Sequence, residues 1–276
     1  MTKRPVKPTS EMFSDEALHF GSIAHYLDGA EYAAAYRRRT ADVRWYLALA
    51  DRVRAKTVLE LGSGAGRVAI PLGRQEHTVL AVDAVEGMID EGRARLSREK
   101  PEVQARVTFA LDDLRTLKKK ALFDLVIAPF NVMQHLYSRP DWEAALDVVK
   151  RHLTPKKGRF AFDITMPDLR AFLRDPARPY KCRPVRDVER NVIVESAESF
   201  AYDPVAQIQL VTTMSHDEGA LQTAYLKALA HRQVFPQELE AMLHYNGFTI
   251  LERYGDFDGG PLDENAESQV ILAKAR

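Results

Sequence analysis

The segment VLELGSGAGR (58–67) constrains this chain more than any other. TVLEL (57–61) is a continuous apolar, β-branched run, the pattern of a parallel strand buried on both faces. It ends in Gly62, Gly64 and Gly66, which lack the Cβ atoms that would prevent a tight turn and close approach of a ligand. A helix beyond them would offer its unpaired amides to that ligand. A nucleotide-like molecule at the carboxyl end of the first strand is the natural occupant. Asp83 ends the next apolar run, HTVLAVD (77–83), where a carboxylate can accept from two ribose hydroxyls.

The rest of the chain repeats this rhythm. Helices are predicted over 67–75, 85–98 and 141–153, and strands over 106–111, 123–129 and 159–165. Strands alternating with helices of this length predict a doubly wound α/β sheet covered on both faces. Upstream, Leu18, Ile23, Tyr26 and Leu27 suggest a short helix, and Tyr32, Tyr36, Val43, Tyr46, Leu47 and Ala50 one longer helix. Residues 1–10 read as a loose tail. After Met166 the rhythm breaks: RDPARPYKCRP (174–184) reads as a loop or lid, and three extended runs between 192 and 234 read as an antiparallel meander. Pro236 opens a last helix closed by Gly247, and strands at 248–254 and 268–275 follow. The expected organisation is a helical cover at 1–55, a core at 56–174 and 235–276, and an insertion at 175–234.

Composition removes several classes of function. Lys plus Arg and Asp plus Glu both number 39, so the formal net charge is zero, unlike a chain built to neutralise a phosphate backbone. A single cysteine, Cys182, excludes an internal disulfide framework or an all-cysteine zinc cluster, and no metal site is expected. Without a bilayer-length apolar run or an apolar stretch after the basic N-terminus, a cytoplasmic protein with no membrane partner is expected.

Two ligand classes compete for the glycine turn. Dinucleotide binders need a small residue at position 67, where this chain has Arg67. The spacing Glu60, Gly62, Gly64, Gly66 instead resembles motif I of the class I S-adenosylmethionine-dependent methyltransferases, and the later segments LAVDAVEGMID (80–90), ALDDLRTL (110–117), FDLVIAPFNVMQHL (123–136) and HYNGFTILE (244–252) fall in that family's order. The resemblance implies a seven-stranded Rossmann-like sheet with S-adenosyl-L-methionine as cofactor and S-adenosyl-L-homocysteine as product. It places Glu60 near the methionine amine, with Gly62, Ser63 and Gly64 beside it. Asp83 and Ala84 fall at the ribose, Met88 on the adenine, and Pro129 and Phe130 at the donor methyl. Asp113 would accept from the adenine amine and Leu114 supply an amide. Asp112 stands where a glycine is usual, leaving the choice between the two aspartates open. Tyr36 and Arg37 of the N-terminal cover would lie near the cofactor carboxylate.

For the reaction itself, His135 could take a proton from the acceptor and Asp163 could orient it, while Asn131, Tyr180 and Arg232 are substrate-side candidates by position. The position after the fourth strand reads Ala128-Pro129-Phe130-Asn131, without the [DN]-P-P-[YFW] signature of base-amine methyltransferases, and no stacking platform is added. The expected activity is methyl transfer to an amine or hydroxyl of a small metabolite, by in-line displacement without a metal. A tRNA or protein acceptor, and a non-catalytic cofactor-binding protein, are the alternatives. The meander could also pair two copies into a homodimer.

Overall fold

The computed structural model describes residues 23–187 and 190–276, together with Phe13 and Leu18. The proposed tail and the start of the first helix lie outside the described residues. The chain divides into two compact units, one formed by 26–166 and 234–276, the other including 167–233.

The larger unit holds the α/β sheet together with two helices of the expected cover, and it gives way to the smaller unit at Met166. In chain order it contains α1 (Gly29–Tyr36), α2 (Ala41–Arg52), β1 (Thr57–Leu61), α3 (Ala69–Arg74), β2 (Thr78–Asp83), α4 (Glu86–Leu96), α5 (Pro101–Gln104), β3 (Val107–Leu111), β4 (Leu125–Ala128), α6 (Arg139–His152) and β5 (Arg159–Thr165). The smaller unit's elements come next in the chain. They are α7 (Leu169–Phe172), β6 (Tyr180–Lys181), β7 (Val185–Asp187), β8 (Val192–Asp203), β9 (Ile208–Asp217) and β10 (Ala220–Arg232). The core resumes with α8 (Pro236–Tyr245), β11 (Phe248–Tyr254) and β12 (Ser268–Ala275). Its seven strands lie in the order β11-β12-β5-β4-β1-β2-β3, with β12 antiparallel to both neighbours.

Side chains alternate across this sheet because successive Cβ atoms of a strand point to opposite faces. Leu59, Leu61, Phe160, Phe162 and Ile271 pack with Trp142 of α6 and Leu239 of α8. Val58, Ala81, Ile127, Ala161 and Leu272 pack on the other face with Tyr46 of α2 and Ile70 of α3. The same alternation puts Glu60 and Asp163 on the second face, under α2 and α3.

The single long helix expected from Tyr32 to Ala50 is two helices. The seven-residue step from Tyr36 to Val43 keeps helical phase, but α1 ends at Tyr36 and the chain turns, with the Arg39 amide donating to the Tyr36 carbonyl at 3.0 Å. What holds the break is tertiary: buried Asp42 in the first turn of α2 pairs with Arg67, far along the chain. Upstream, Ala24–Tyr26 forms a 3-10 turn. Helix α6 begins two residues before the expected Asp141, because Ser138 and Asp141 form a reciprocal capping box with Pro140 in the first turn.

In the smaller unit β10, β9, β8 and β6 pair in that order, and β7 also pairs with β8. The segment expected to be only a loop, 174–184, contributes β6, which pairs through Tyr180 with Glu198. Strand β9 starts at Ile208, since Asp203 accepts from the Val205 and Ala206 amides at 2.8 and 3.1 Å and turns the chain there. Phe172 stacks on Tyr202 with ring centroids 4.0 Å apart.

Candidate active site

The carboxyl ends of β1 and β2 meet at the glycine turn. Gly62 has φ +65°, and a Cβ there would overlap the methyls of Val132, so its missing side chain lets the loop after β4 lie on the turn. Gly64, at φ +52°, differs: a Cβ would find only Met88 Sδ at 3.8 Å and Tyr32 Cε1 at 4.0 Å. A backbone turn, a buried methionine and a tyrosine thus bound a space that a side chain at position 64 would fill to ordinary contact distance.

Asp83 frames that space. It accepts from the Gly64 amide at 2.7 Å and the Val85 amide at 2.9 Å, one bond to each oxygen. A carboxylate offers roughly four acceptor sites, so each oxygen keeps capacity for a hydroxyl. Burial raises the Asp83 pKa, with the Val85, Gly64 and Ala84 amides acting against it. Ala84 beside it is exposed and Met88 is buried. Asp112 follows β3 directly and its amide donates to the Asp83 carbonyl at 3.0 Å, which sets it beside Asp83. Asp113 is committed to Arg115, whose Nε and Nη2 donate to it at 3.0 and 2.6 Å. Leu114 is half-buried against the core.

Glu60 is 2% exposed, and its Oε2 makes no hydrogen bond. Ser63 Oγ is likewise buried without a partner, while the Ser63 amide donates to Val82 at 2.9 Å. Burial pushes the Glu60 carboxyl up to about 8; Arg67 and the Ala69 amide act against the shift, and Asp83 and Asp42 add to it. Two such atoms three residues apart at the end of β1 fit a place where a ligand supplies the partners.

The loop after β4 carries the most unusual backbone of the site. Phe130 and Asn131 are consecutive left-handed residues at φ +62° and +66°, a conformation costing about 1–3 kcal/mol each outside glycine. Pro129 before them is buried. Asp163, expected to face the acceptor, instead holds this loop. It is buried, its Oδ1 accepts from the Phe130 amide at 2.8 Å and the Tyr46 hydroxyl at 2.7 Å, and its carbonyl accepts from the Asn131 amide at 3.2 Å. The physical reason is strand alternation, which turns Asp163 toward α2. Burial raises its pKa to about 6, against the two hydrogen bonds. Tyr46 is itself raised by burial and by Asp163, so it remains a donor.

The Phe130 ring is held from the side. The guanidinium carbons of Arg39 and Arg67 lie 4.6 and 4.9 Å from its centroid, and Tyr36 meets it edge-on at 5.0 Å. Arg67 reaches back to buried Asp42 with two bonds of 2.8 and 2.6 Å, and Arg39 adds a third contact at 3.5 Å. Burial alone would raise Asp42; the Arg67 guanidinium outweighs it and holds the carboxyl below the usual range. Arg37, expected here, is the exposed C-cap of α1, and Arg39 and Arg67 reach the ring instead. Tyr26, Tyr32 and Tyr36 continue the aromatic row with centroids 5.3 and 4.6 Å apart, and the Tyr26 hydroxyl bonds His135 Nε2 at 2.8 Å.

Sequence reading missed Asp42, Arg67 and Tyr46 as site residues. Arg67 was visible as an anomaly in the glycine motif, but its partner lies 25 residues upstream and no local pattern names it. Tyr180 and Arg232 belong to the smaller unit. There Tyr180 meets Phe200 edge-on at 5.9 Å, and Arg232 donates to Gln207 Oε1 at 3.1 Å.

The strand order, with its antiparallel β12, matches a Rossmann-like methyltransferase fold. Residues 58–156 match the family model described as "Methyltransferase domain", so this stretch is a methyltransferase domain. Among solved structures the chain is similar to the CcbJ methyltransferase of Streptomyces caelestis, with 24% identity, TM-score 0.75, and 91% of this chain and 98% of that one covered. It is also similar to an S-adenosylmethionine-dependent methyltransferase of Clostridium acetobutylicum, at 14% identity, TM-score 0.73 and coverage of 89% and 98%. A third similar structure is CalS10 with bound S-adenosylmethionine, an amino pentose methyltransferase of Micromonospora echinaspora involved in calicheamicin biosynthesis. It has 19% identity, TM-score 0.64 and coverage of 89% and 97%. No curated protein matches the sequence at a significant level. Among the described residues no helix is long and apolar enough to cross a membrane.

Proposed function

We propose that this protein moves a methyl group from S-adenosylmethionine to an amine or hydroxyl of a small molecule. One observation carries the reading: Asp83, at the end of β2, accepts from the Gly64 amide of the glycine turn, with Met88 and Tyr32 beside that turn. The buried, unpartnered oxygens of Glu60 and Ser63 fit the same ligand. When bound, the cofactor supplies a methyl group already activated on a sulfonium.

The chain's part is to bind, orient and manage a proton. Asp83 receives the ribose hydroxyls and Met88 lies against the adenine. Asp112 rather than Asp113 is the acceptor for the adenine amine, because Arg115 occupies Asp113. The Leu114 amide adds a donor there. Asp163 and Tyr46 fix the strained Phe130–Asn131 turn, so that a reacting group meets a wall set in advance, an orientation effect worth several kcal/mol. His135, tied to Tyr26, is the group to receive the acceptor's proton, and Asn131 is the polar residue nearest in sequence to contact the acceptor.

The small acceptor rests on the missing base-amine signature and on the amino-sugar activity named for CalS10. The first test is a thermal shift with S-adenosylhomocysteine beside NAD, repeated on Asp83→Ala. At about 100 times its dissociation constant, a ligand should stabilise the fold by roughly 2.7 kcal/mol. The expected result is a shift with S-adenosylhomocysteine alone, lost in the variant; a shift with NAD alone would overturn the reading. In a transfer assay over small amines, hydroxy compounds and tRNA, methyl groups on tRNA alone would sink the small-molecule acceptor.

A further inference from the structure

Glu60 has less support than a buried anion needs: the Ala69 amide and Arg67 favour its charge, and burial outweighs both. It sits in β1 on the face covered by α2 and α3, 2% exposed, with Oε2 making no hydrogen bond. The charged and titratable groups around it are Arg67, at the start of the following helix, Asp83 on β2, and Asp42 and Tyr46 on α2. Arg67 is the cation among them, and both of its terminal nitrogens are bonded to Asp42. Asp42 therefore neutralises the charge that Glu60 would need, while Asp83 adds a second carboxylate nearby. An isolated carboxylate in such a place takes a proton rather than remain charged.

A cationic ligand changes that balance. The amino-acid end of S-adenosylmethionine or S-adenosylhomocysteine carries an ammonium group, which supplies the missing positive charge. We infer that Glu60 holds a proton in the ligand-free protein and gives it to solvent when a ligand ammonium enters the crevice. The step balances: one O–H bond of the carboxyl breaks, its proton leaves to the buffer, and the resulting carboxylate faces one incoming positive charge. Glu60 thereby selects for the amino-acid end of the ligand, because adenosine contacts alone would not draw the proton off. The upward shift of the Glu60 carboxyl to about 8 agrees with a protonated state at neutral pH. The inference rests on the methyltransferase reading for its ligand and for bringing the ligand ammonium to Glu60.

The experiment is calorimetric titration of the full chain with S-adenosylhomocysteine at pH 7 in buffers of low and high ionisation enthalpy, which counts protons released per ligand bound. Wild type should release close to one proton, and its dissociation constant should fall about tenfold from pH 6 to pH 7. 5′-Methylthioadenosine, which keeps the adenosine but lacks the ammonium, should bind without proton release. Glu60→Gln should bind S-adenosylhomocysteine more weakly, with no proton released and an affinity flat over that range. Wild-type binding without net proton release, equal release with both ligands, or unchanged release in Glu60→Gln would each overturn the inference. Should Glu60→Gln not bind at all, the comparison of the two ligands on wild type still decides it. Absence of any S-adenosylhomocysteine binding to wild type would instead overturn the proposed cofactor.

Discussion

Replacing Asp42 by Leu tests how the site is braced. Asp42 is buried and takes both terminal nitrogens of Arg67, at 2.8 and 2.6 Å, together with the Val43 amide at 2.9 Å. Removing one member of a buried pair typically costs about 3–5 kcal/mol, because the other charge is left behind. The Arg67 side chain keeps 18% exposure, which lets water recover part of that loss, so about 3 kcal/mol is expected. The assay is urea unfolding followed by tryptophan fluorescence. Both tryptophans, Trp45 and Trp142, lie in the core unit, and Trp45 sits in the same helix as Asp42. The midpoint should fall by roughly 1 M. The double variant Asp42→Leu/Arg67→Met leaves no orphaned charge and should regain most of the loss. A loss under about 1 kcal/mol in the single variant, or a double variant less stable than the single one, would refute the bracing argument. Asp42 also has a defined pH signature. Its carboxyl is held low in the fold, so its stabilisation is present above the ordinary aspartate pKa and disappears as pH falls through the lower folded value.

The other predictions concern the glycine turn and the two raised carboxyls. Gly62→Ala should destabilise by about 2 kcal/mol or more, from left-handed strain plus the Val132 clash, and Val132→Ala in the same chain should restore part of it in urea melts. Gly64→Ala meets no such clash; it should cost about 1 kcal/mol of stability while abolishing the S-adenosylhomocysteine thermal shift. Tyr46→Phe removes a donor to a buried carboxyl and should cost about 1.5–3 kcal/mol, measurable by the same unfolding assay. Glu60→Gln should stabilise the ligand-free protein increasingly as pH rises. A carboxyl raised in the fold bears no ionisation penalty below its unfolded value near 4, and a growing one up to about 8, so urea midpoints at pH 5 and pH 9 should diverge by roughly 1–3 kcal/mol.

The architecture was legible because it is written in local periodicity. RFAFDIT was read at its observed limits, and TVLEL likewise, since a strand buried on both faces needs an apolar run and has few other ways to be made. The glycine turn and Asp83 were legible because both lie at strand ends fixed by that pattern. The break between α1 and α2 was not legible, since its cause is an ion pair over a separation of 25 residues. The role of Asp163 was misjudged for a related reason. Its position at the end of β5 is local, but the Tyr46 hydroxyl that claims it comes from 117 residues away.

What the sequence by itself determined is the order of strands and helices, the methyltransferase resemblance, and an aspartate closing the second strand beside the glycine turn. These depend on residue types repeated at short, regular spacing, where backbone geometry converts pattern directly into structure. Only the tertiary structure decided that Asp112 lies beside Asp83 while Arg115 takes Asp113, that Arg39 and Arg67 flank Phe130, and that Arg67 spends its terminal nitrogens on Asp42 rather than Glu60. Each of those is settled by which charges meet in the folded interior. An interior of low polarity makes such pairings decisive, while the chain between the partners leaves no trace of them.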